Sequence, residues 1–288
     1  MTLEAALQLN GKDEKNLHRS FYGSLLETMP ELQAKDMLPA SAAYIMKRRL
    51  HAPAEVLPAW RNNYFFTADS VVTDGKGAVK IVLDDPTLLK LNRQSILTGG
   101  ALVPTVEDWE DLNGSNVLSL PRTIVKDHLY GKGYVKESSG KYVPENNWVE
   151  FFWNFISRGE VNLEEYVRMV GKAQSKVMDL YLDNSASHLF LGRSLVLGRV
   201  GDLSLVGGGS NLYDANGRLV GVAPEAHREI LPREATITQT LSVNILPPSS
   251  VSDHEQNYLG YSPADVDHAR ALLDRASRKK DWKNSSNK

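Results

Sequence analysis

The stretch from Trp148 to Ile156 constrains the fold of this chain more than any other. Read as a helix, Trp148, Val149, Phe151, Phe152, Trp153, Phe155 and Ile156 cover an arc of about 200°, twice the ~100° stripe of an ordinary amphipathic helix. Glu150, Asn154 and Ser157 hold the opposite side. An apolar face that wide must be buried from more than one direction. The pattern therefore predicts a helix over 144–158 at the centre of the core, opened by Pro144 and stopped by Gly159. Its rings also qualify as a pocket wall or an interface, because aromatic side chains are enriched in interface cores. Trp148, Phe152 and Trp153 are the candidates.

What surrounds this helix is built from short pieces. Residues 1 to about 60 read as helical. Leu17, Phe21, Leu25 and Met29 keep a helical spacing, Pro30 and Pro39 divide the region, and Lys47-Arg48-Arg49 supplies the positive charge favoured at a helix C-terminus. Asp74-Gly75-Lys76-Gly77, between apolar runs, is a β-hairpin signal; Gly133–Val143 predicts a second hairpin and Asp214-Ala215-Asn216-Gly217 a third. Asp85-Pro86 reads as the cap and first residue of a short helix. Thr105, with Asp108 three residues on, opens another that carries Trp109. Asn162, with Glu165 at the third helical position, caps a helix predicted to reach Leu182. The stretch 189–222 is β-rich, and Ala235–Leu246 predicts a further strand. Ser262-Pro263 opens a last helix with Val266, Ala269, Leu272, Leu273 and Ala276 on one face.

This order lacks the regular strand–helix alternation of a doubly wound sheet. The expectation is an α+β fold with a helical N-terminal region, mostly antiparallel short-stranded sheets with hairpins, a central aromatic helix and a C-terminal amphipathic helix. The small and polar stretch Asp183–Ser187 divides it into a mixed domain over 1–183 and a β-rich segment over 189–280 closed by the last helix, unless the two form one continuous domain. The tail, 281–288, is expected to fray.

Composition excludes more than it assigns. With 42% hydrophobic and 24% charged residues, the 288-residue chain has an ordinary globular make-up. Lys and Arg number 33 against 35 Asp and Glu, so no global field draws polyanions and a nucleic-acid partner is not expected. The absence of Cys removes disulfides, thiolate metal sites and cysteine nucleophiles. The N-terminus has no basic region ahead of an apolar run, and no stretch approaches the ~20 apolar residues of a membrane helix. A cytoplasmic, soluble protein without a membrane partner is the expectation.

Two groups of residues carry candidate chemistry. Glu107 and Asp111 stand four apart on one helical face, and with Asp84 they form a carboxylate set for a divalent cation. Asp108, Glu110 and His128 are the candidates for acid–base work beside them. The competing account is ordinary helix chemistry, since acidic residues favour a first turn and Asp85 has a cap to make. The glycine run Gly207-Gly208-Gly209 follows a strand, but no helix start and no Gly-Lys-Ser/Thr follows it, so a tight strand connection is the expected reading. Arg168, Lys172 and Lys176 form a basic row if their helix is continuous.

No cofactor is called for by any motif, and a divalent metal enters only through the acidic set. Two functions follow. The preferred one is a non-catalytic binding or structural protein, with a protein partner or self-association through the aromatic helix. The alternative is a carboxylate-based, metal-dependent enzyme of hydrolase type.

Overall fold

The turn at Asp74 lies in the middle of the architecture. Its carboxylate accepts from the amides of Lys76, Gly77 and Ala78 at 2.8, 2.8 and 2.9 Å. Gly75 and Gly77 supply φ angles of 70° and 105°, which glycine adopts without steric cost. The computed structural model describes residues 17–172, 174–182, 188–214 and 218–228. The chain divides into two compact units, Met1–Leu231 and Pro232–Lys288, and every described residue belongs to the first. The expected strand Ala235–Leu246, the last helix and the tail lie outside the described residues. So do Asp183–Ser187 and, in the third hairpin turn, Ala215, Asn216 and Gly217.

In chain order the first half comprises β1 (His18–Tyr22), α1 (Leu25–Gln33), β2 (Leu38–Pro39), α2 (Ala42–His51), α3 (Leu57–Arg61), β3 (Phe65–Thr73), β4 (Val79–Val82), α4 (Val106–Asp111) and β5 (Val117–Leu120). The second half adds β6 (Tyr134–Lys136), β7 (Tyr142–Pro144), α5 (Asn147–Ile156), α6 (Leu163–Gly171), β8 (Lys176–Val177), β9 (Leu180–Tyr181), β10 (Leu191–Leu197), β11 (Val206–Gly207), β12 (Arg218–Val222) and α7 (Pro224–Arg228). Short 3-10 or π turns fill some of the gaps, Val125–Leu129 among them.

The larger sheet runs β1-β12-β3-β10-β11-β9, with β2 joined to β12, β4 to β3 and β5 to β4. Strands β3, β10 and β12 are buried along their whole length. They show no apolar–polar alternation because both of their faces are covered. Phe65, Leu195, Leu197, Val220 and Val222 join the main core with Ile45 of α2, Trp60 of α3 and Trp153 of α5. Phe66, Val196 and Leu219, from the alternate positions, join Leu25, Met29 and Leu32 of α1 in a second core. The smaller sheet is β7-β6-β8.

The mixed α+β class holds, and so do the hairpins at Asp74 and at Gly133–Val143. The sheet itself corrects the expectation of mostly antiparallel pairing: it is mixed. β12 lies parallel to β3, and β11 parallel to β9. Both pairs join strands that are not hairpin neighbours, and a chain that returns by a long connection is free to pair in parallel.

The helical N-terminal region holds at α1, α2 and α3 but is corrected at its start, because His18–Tyr22 is a strand paired with β12. Phe21, Leu25 and Met29 do share one core. A four-residue spacing is met here by a strand residue followed by a helix, so periodicity alone misled. Pro30 lies inside α1 instead of ending it; burial of Leu25, Leu26, Met29 and Leu32 outweighs the backbone bond it removes. The helix after Asn162 stops at Gly171, well short of Leu182, and the chain goes on into β8 and β9. Gly171 is packed against the Tyr142 ring where a Cβ has no room, so the helix ends where the hairpin closes on it.

Candidate functional site

The acidic helix α4 is explained by its own capping. Thr105 accepts from the Asp108 amide at 3.0 Å, and Asp108 accepts from the Thr105 amide and hydroxyl at 2.8 and 2.9 Å. These bonds hold the Asp108 carboxyl below its usual range. At the other end Lys80 donates to the carbonyls of Trp109 and Leu112 at 2.7 and 2.8 Å and lies 4.5 Å from the Trp109 ring centre. Trp109 is thus the docking residue of the helix, while Glu107, Asp108, Glu110 and Asp111 face solvent.

The other members of that candidate set lie apart from it in role. Asp84 receives Arg158 at 2.6 Å. His128 is exposed on the π turn and uses its backbone carbonyl to accept from Asn146 at 2.9 Å. Among the described residues no three His, Asp or Glu side chains come together as a set able to hold a metal ion.

Helix α5 is where the aromatic run placed it, and its two sides have separate uses. Phe152 and Trp153 are fully buried, and the Trp153 indole donates to the Met178 carbonyl at 3.0 Å. Trp148 is half-buried against Phe151, edge to face at 6.0 Å. Asn146 caps the helix, accepting from Trp148 and Val149 at 2.9 and 3.2 Å. Past its C-terminus, Arg158 reaches Asp69 at 3.1 Å and Asp84 at 2.6 Å. Asp69 is fully buried and also accepts from the first amide of α2 at 2.7 Å. Burial raises the Asp69 carboxyl even against the Arg158 charge. Both ends of α5 are therefore fixed to neighbouring elements.

The polar side of α5 forms one wall of a groove of about 580 Å³. Glu150 and Asn154 belong to that wall, and Leu163, Glu164, Val167 and Arg168 of α6 continue it. The hairpin β6–β7 supplies the opposite wall through Tyr134, Lys141 and Tyr142. The hairpin is held in place by Glu145, which accepts from the Gly133 amide at 2.8 Å and pairs with Lys176 at 3.0 Å. Burial alone would raise the Glu145 carboxyl, but Lys176, the Gly133 amide and Lys132 together bring it below its usual range. The Tyr142 hydroxyl donates to the Gln174 carbonyl, which ties the hairpin to the end of α6. Both walls are thus anchored.

Polar groups inside the groove are only partly satisfied. Tyr134 is 6% exposed, and its hydroxyl finds no hydrogen-bond partner among the described residues. Burial, with the nearby Glu150 charge, raises this phenol well above its ordinary value. Glu164 and Arg168 pair with each other at 3.1 Å. Glu150 and Lys141 form no ion pair among the described residues. A ligand with complementary groups therefore meets one free carboxylate, one free ammonium and one buried phenol.

Of the residues singled out from the sequence, none of the candidate carboxylates lines this groove, and Trp148, Phe152 and Trp153 sit on the other side of the helix that does. The strip Glu150–Asn154 was visible as the polar side of an apolar helix. Tyr134 and Lys141 were visible only as hairpin residues. The basic row does not exist, because Lys172 ends α6 at a φ of 24° and Lys176 lies in β8. The glycine run is a strand connection: Gly208 is packed against Val71, and no helix follows directly.

Among the described residues no helix is long and apolar enough to cross a membrane. No protein-family model and no curated protein matches the sequence. The chain is similar to a solved structure described as the accommodation of massive sequence variation in Nanoarchaeota by the C-type lectin fold. The TM-score is 0.52 at 16% identity, over 74% of this chain and 99% of that one. At that identity the likeness shows the fold alone: a mixed α+β fold of the C-type lectin kind.

Proposed function

We propose that this chain is a non-catalytic binding protein whose ligand lies in the groove between the β6–β7 hairpin and helices α5 and α6. The observation that carries the reading is the groove itself, into which the Tyr134 hydroxyl, the Glu150 carboxylate and the Lys141 ammonium are presented without a side-chain hydrogen bond or ion pair among the described residues. A ligand that hydrogen-bonds the Tyr134 hydroxyl gains the net worth of one neutral hydrogen bond, about 0.5–1.5 kcal/mol. The volume, about 580 Å³, falls within the range of ligand pockets. The solved structure it resembles is described as accommodating massive sequence variation, which suits a scaffold on which surface positions change while the fold persists.

The test is a two-dimensional NMR titration with an equimolar pool of random-sequence acetylated hexapeptides. The expected result is amide shifts concentrated at Tyr142, Val143, Glu150, Asn154 and Leu163. Shifts concentrated instead around Glu107 to Asp111, or scattered over the surface, would refute the groove as the binding site.

A further inference from the structure

The groove offers a particular set of unmet interactions, and they differ in how firmly they are held. Glu150 stands on α5, whose two ends are pinned by Asn146 and by Arg158. Its carboxylate and the Tyr134 hydroxyl line the same groove. Lys141 stands exposed next to the hairpin turn, its backbone bonded to Glu137 and Ser139 and its ammonium making no ion pair among the described residues. Glu164 and Arg168 already neutralise each other. Of the two unpaired charges, the one carried by the anchored helix is the negative Glu150, and the Tyr134 hydroxyl lines the same groove.

The hairpin adds a third feature. β7 pairs only with β6 in its sheet, so its outer edge is open among the described residues. The amide of Glu137 donates to Lys141 and that of Glu145 to Gly133, both across the hairpin. In an antiparallel pair the inward bonds alternate, so Val143 faces β6 and the N–H and C=O of Tyr142 face outward. A strand edge of this kind pairs with extended chains.

Resting on the reading of the groove as the binding site, we infer that its ligand is an extended peptide segment bearing a basic side chain. The cation pairs with Glu150. A main-chain carbonyl of the segment accepts from the Tyr134 hydroxyl, and the backbone runs along the Tyr142 edge of β7. An acidic ligand is repelled by Glu150, and a purely apolar one leaves the Tyr134 hydroxyl without a partner.

Three acetylated, amidated hexapeptides decide the matter: one with a central Arg, one with Glu and one with Gln in an otherwise identical Gly/Ser/Thr sequence. Binding is followed by NMR shifts at the groove amides in low salt. The Arg peptide is expected to bind tightest, and Glu150→Gln to weaken it roughly three- to tenfold, as a partly exposed charge pair allows. Tyr134→Phe is expected to weaken all three peptides by about threefold, the size of one neutral hydrogen bond. Both substitutions keep the shape of the side chain, and an unchanged melting temperature confirms intact folding. If the Gln or Glu peptide binds the groove as well as the Arg peptide, or Glu150→Gln leaves the order unchanged, the basic class is overturned while the groove stands. If none of the three moves the groove amides, the groove reading falls with it.

Discussion

Arg218 is a residue whose cost is plain. It is 2% exposed, and its Nε, Nη1 and Nη2 atoms have no hydrogen-bond partner among the described residues. Its guanidinium lies 4.7 Å from the Tyr22 ring centre and 5.9 Å from that of Phe65. Desolvation draws its pKa down to about 10, with only a small opposing effect from Tyr22. Contacts with two rings recover about 1–2 kcal/mol, less than the penalty of a buried charge without acceptors. Arg218→Met keeps the length and removes the charge. It is expected to raise stability by about 1–3 kcal/mol in chemical denaturation. A loss of stability would show that the guanidinium has an anionic partner. Arg49 shows the contrast: it is equally buried but donates to the carbonyls of Trp60 and Asn63 and to the hydroxyls of Tyr166 and Ser204, all at 3.0 Å. Neither arginine was distinguishable in the sequence, where Arg49 reads as the end of a basic triplet. Charge at a helix end and charge in a core look alike until tertiary contacts are known.

At the scale of elements, α5 shows how far a sequence pattern reaches. Its arc of rings required burial from several sides, and Phe152, Trp153, Val149 and Ile156 are indeed fully buried. Trp153→Ala should cost about 3–5 kcal/mol by cavity formation alone, measured by thermal or denaturant unfolding. A cost below about 1 kcal/mol would contradict a core role. Capping chemistry was legible at Thr105 and Asn162, which accept from the amides of their own first turns, but not at α5, where the cap is Asn146 and the expected opener Pro144 lies in β7. Legibility ended where a neighbour decided the local structure. β1 is a strand because β12 supplies its hydrogen bonds from 200 residues later in the chain, His18 lying opposite Val222. At the end of α6 the Tyr142 ring leaves no room for a Cβ on Gly171. Local propensity carries no trace of such partners.

For the molecule as a whole, the same limit applies to the site. The polar strip of α5 and the Gly133–Val143 hairpin were each readable, but nothing in the sequence placed one opposite the other. Of the candidate carboxylates, Asp108 belongs to a capping box and Asp84 pairs with Arg158. The groove lies between the smaller sheet's hairpin and helices α5 and α6, and the proposed function rests on its being a binding surface. The most direct measurement of that claim is occlusion. Asn154 lies on the groove wall at the helix surface, so Asn154→Trp fills the groove without entering the core. With the random hexapeptide pool as probe, the groove-binding account predicts an unchanged melting temperature and loss of the peptide-induced shifts. Peptide binding that persists undiminished in a correctly folded Asn154→Trp variant would contradict it.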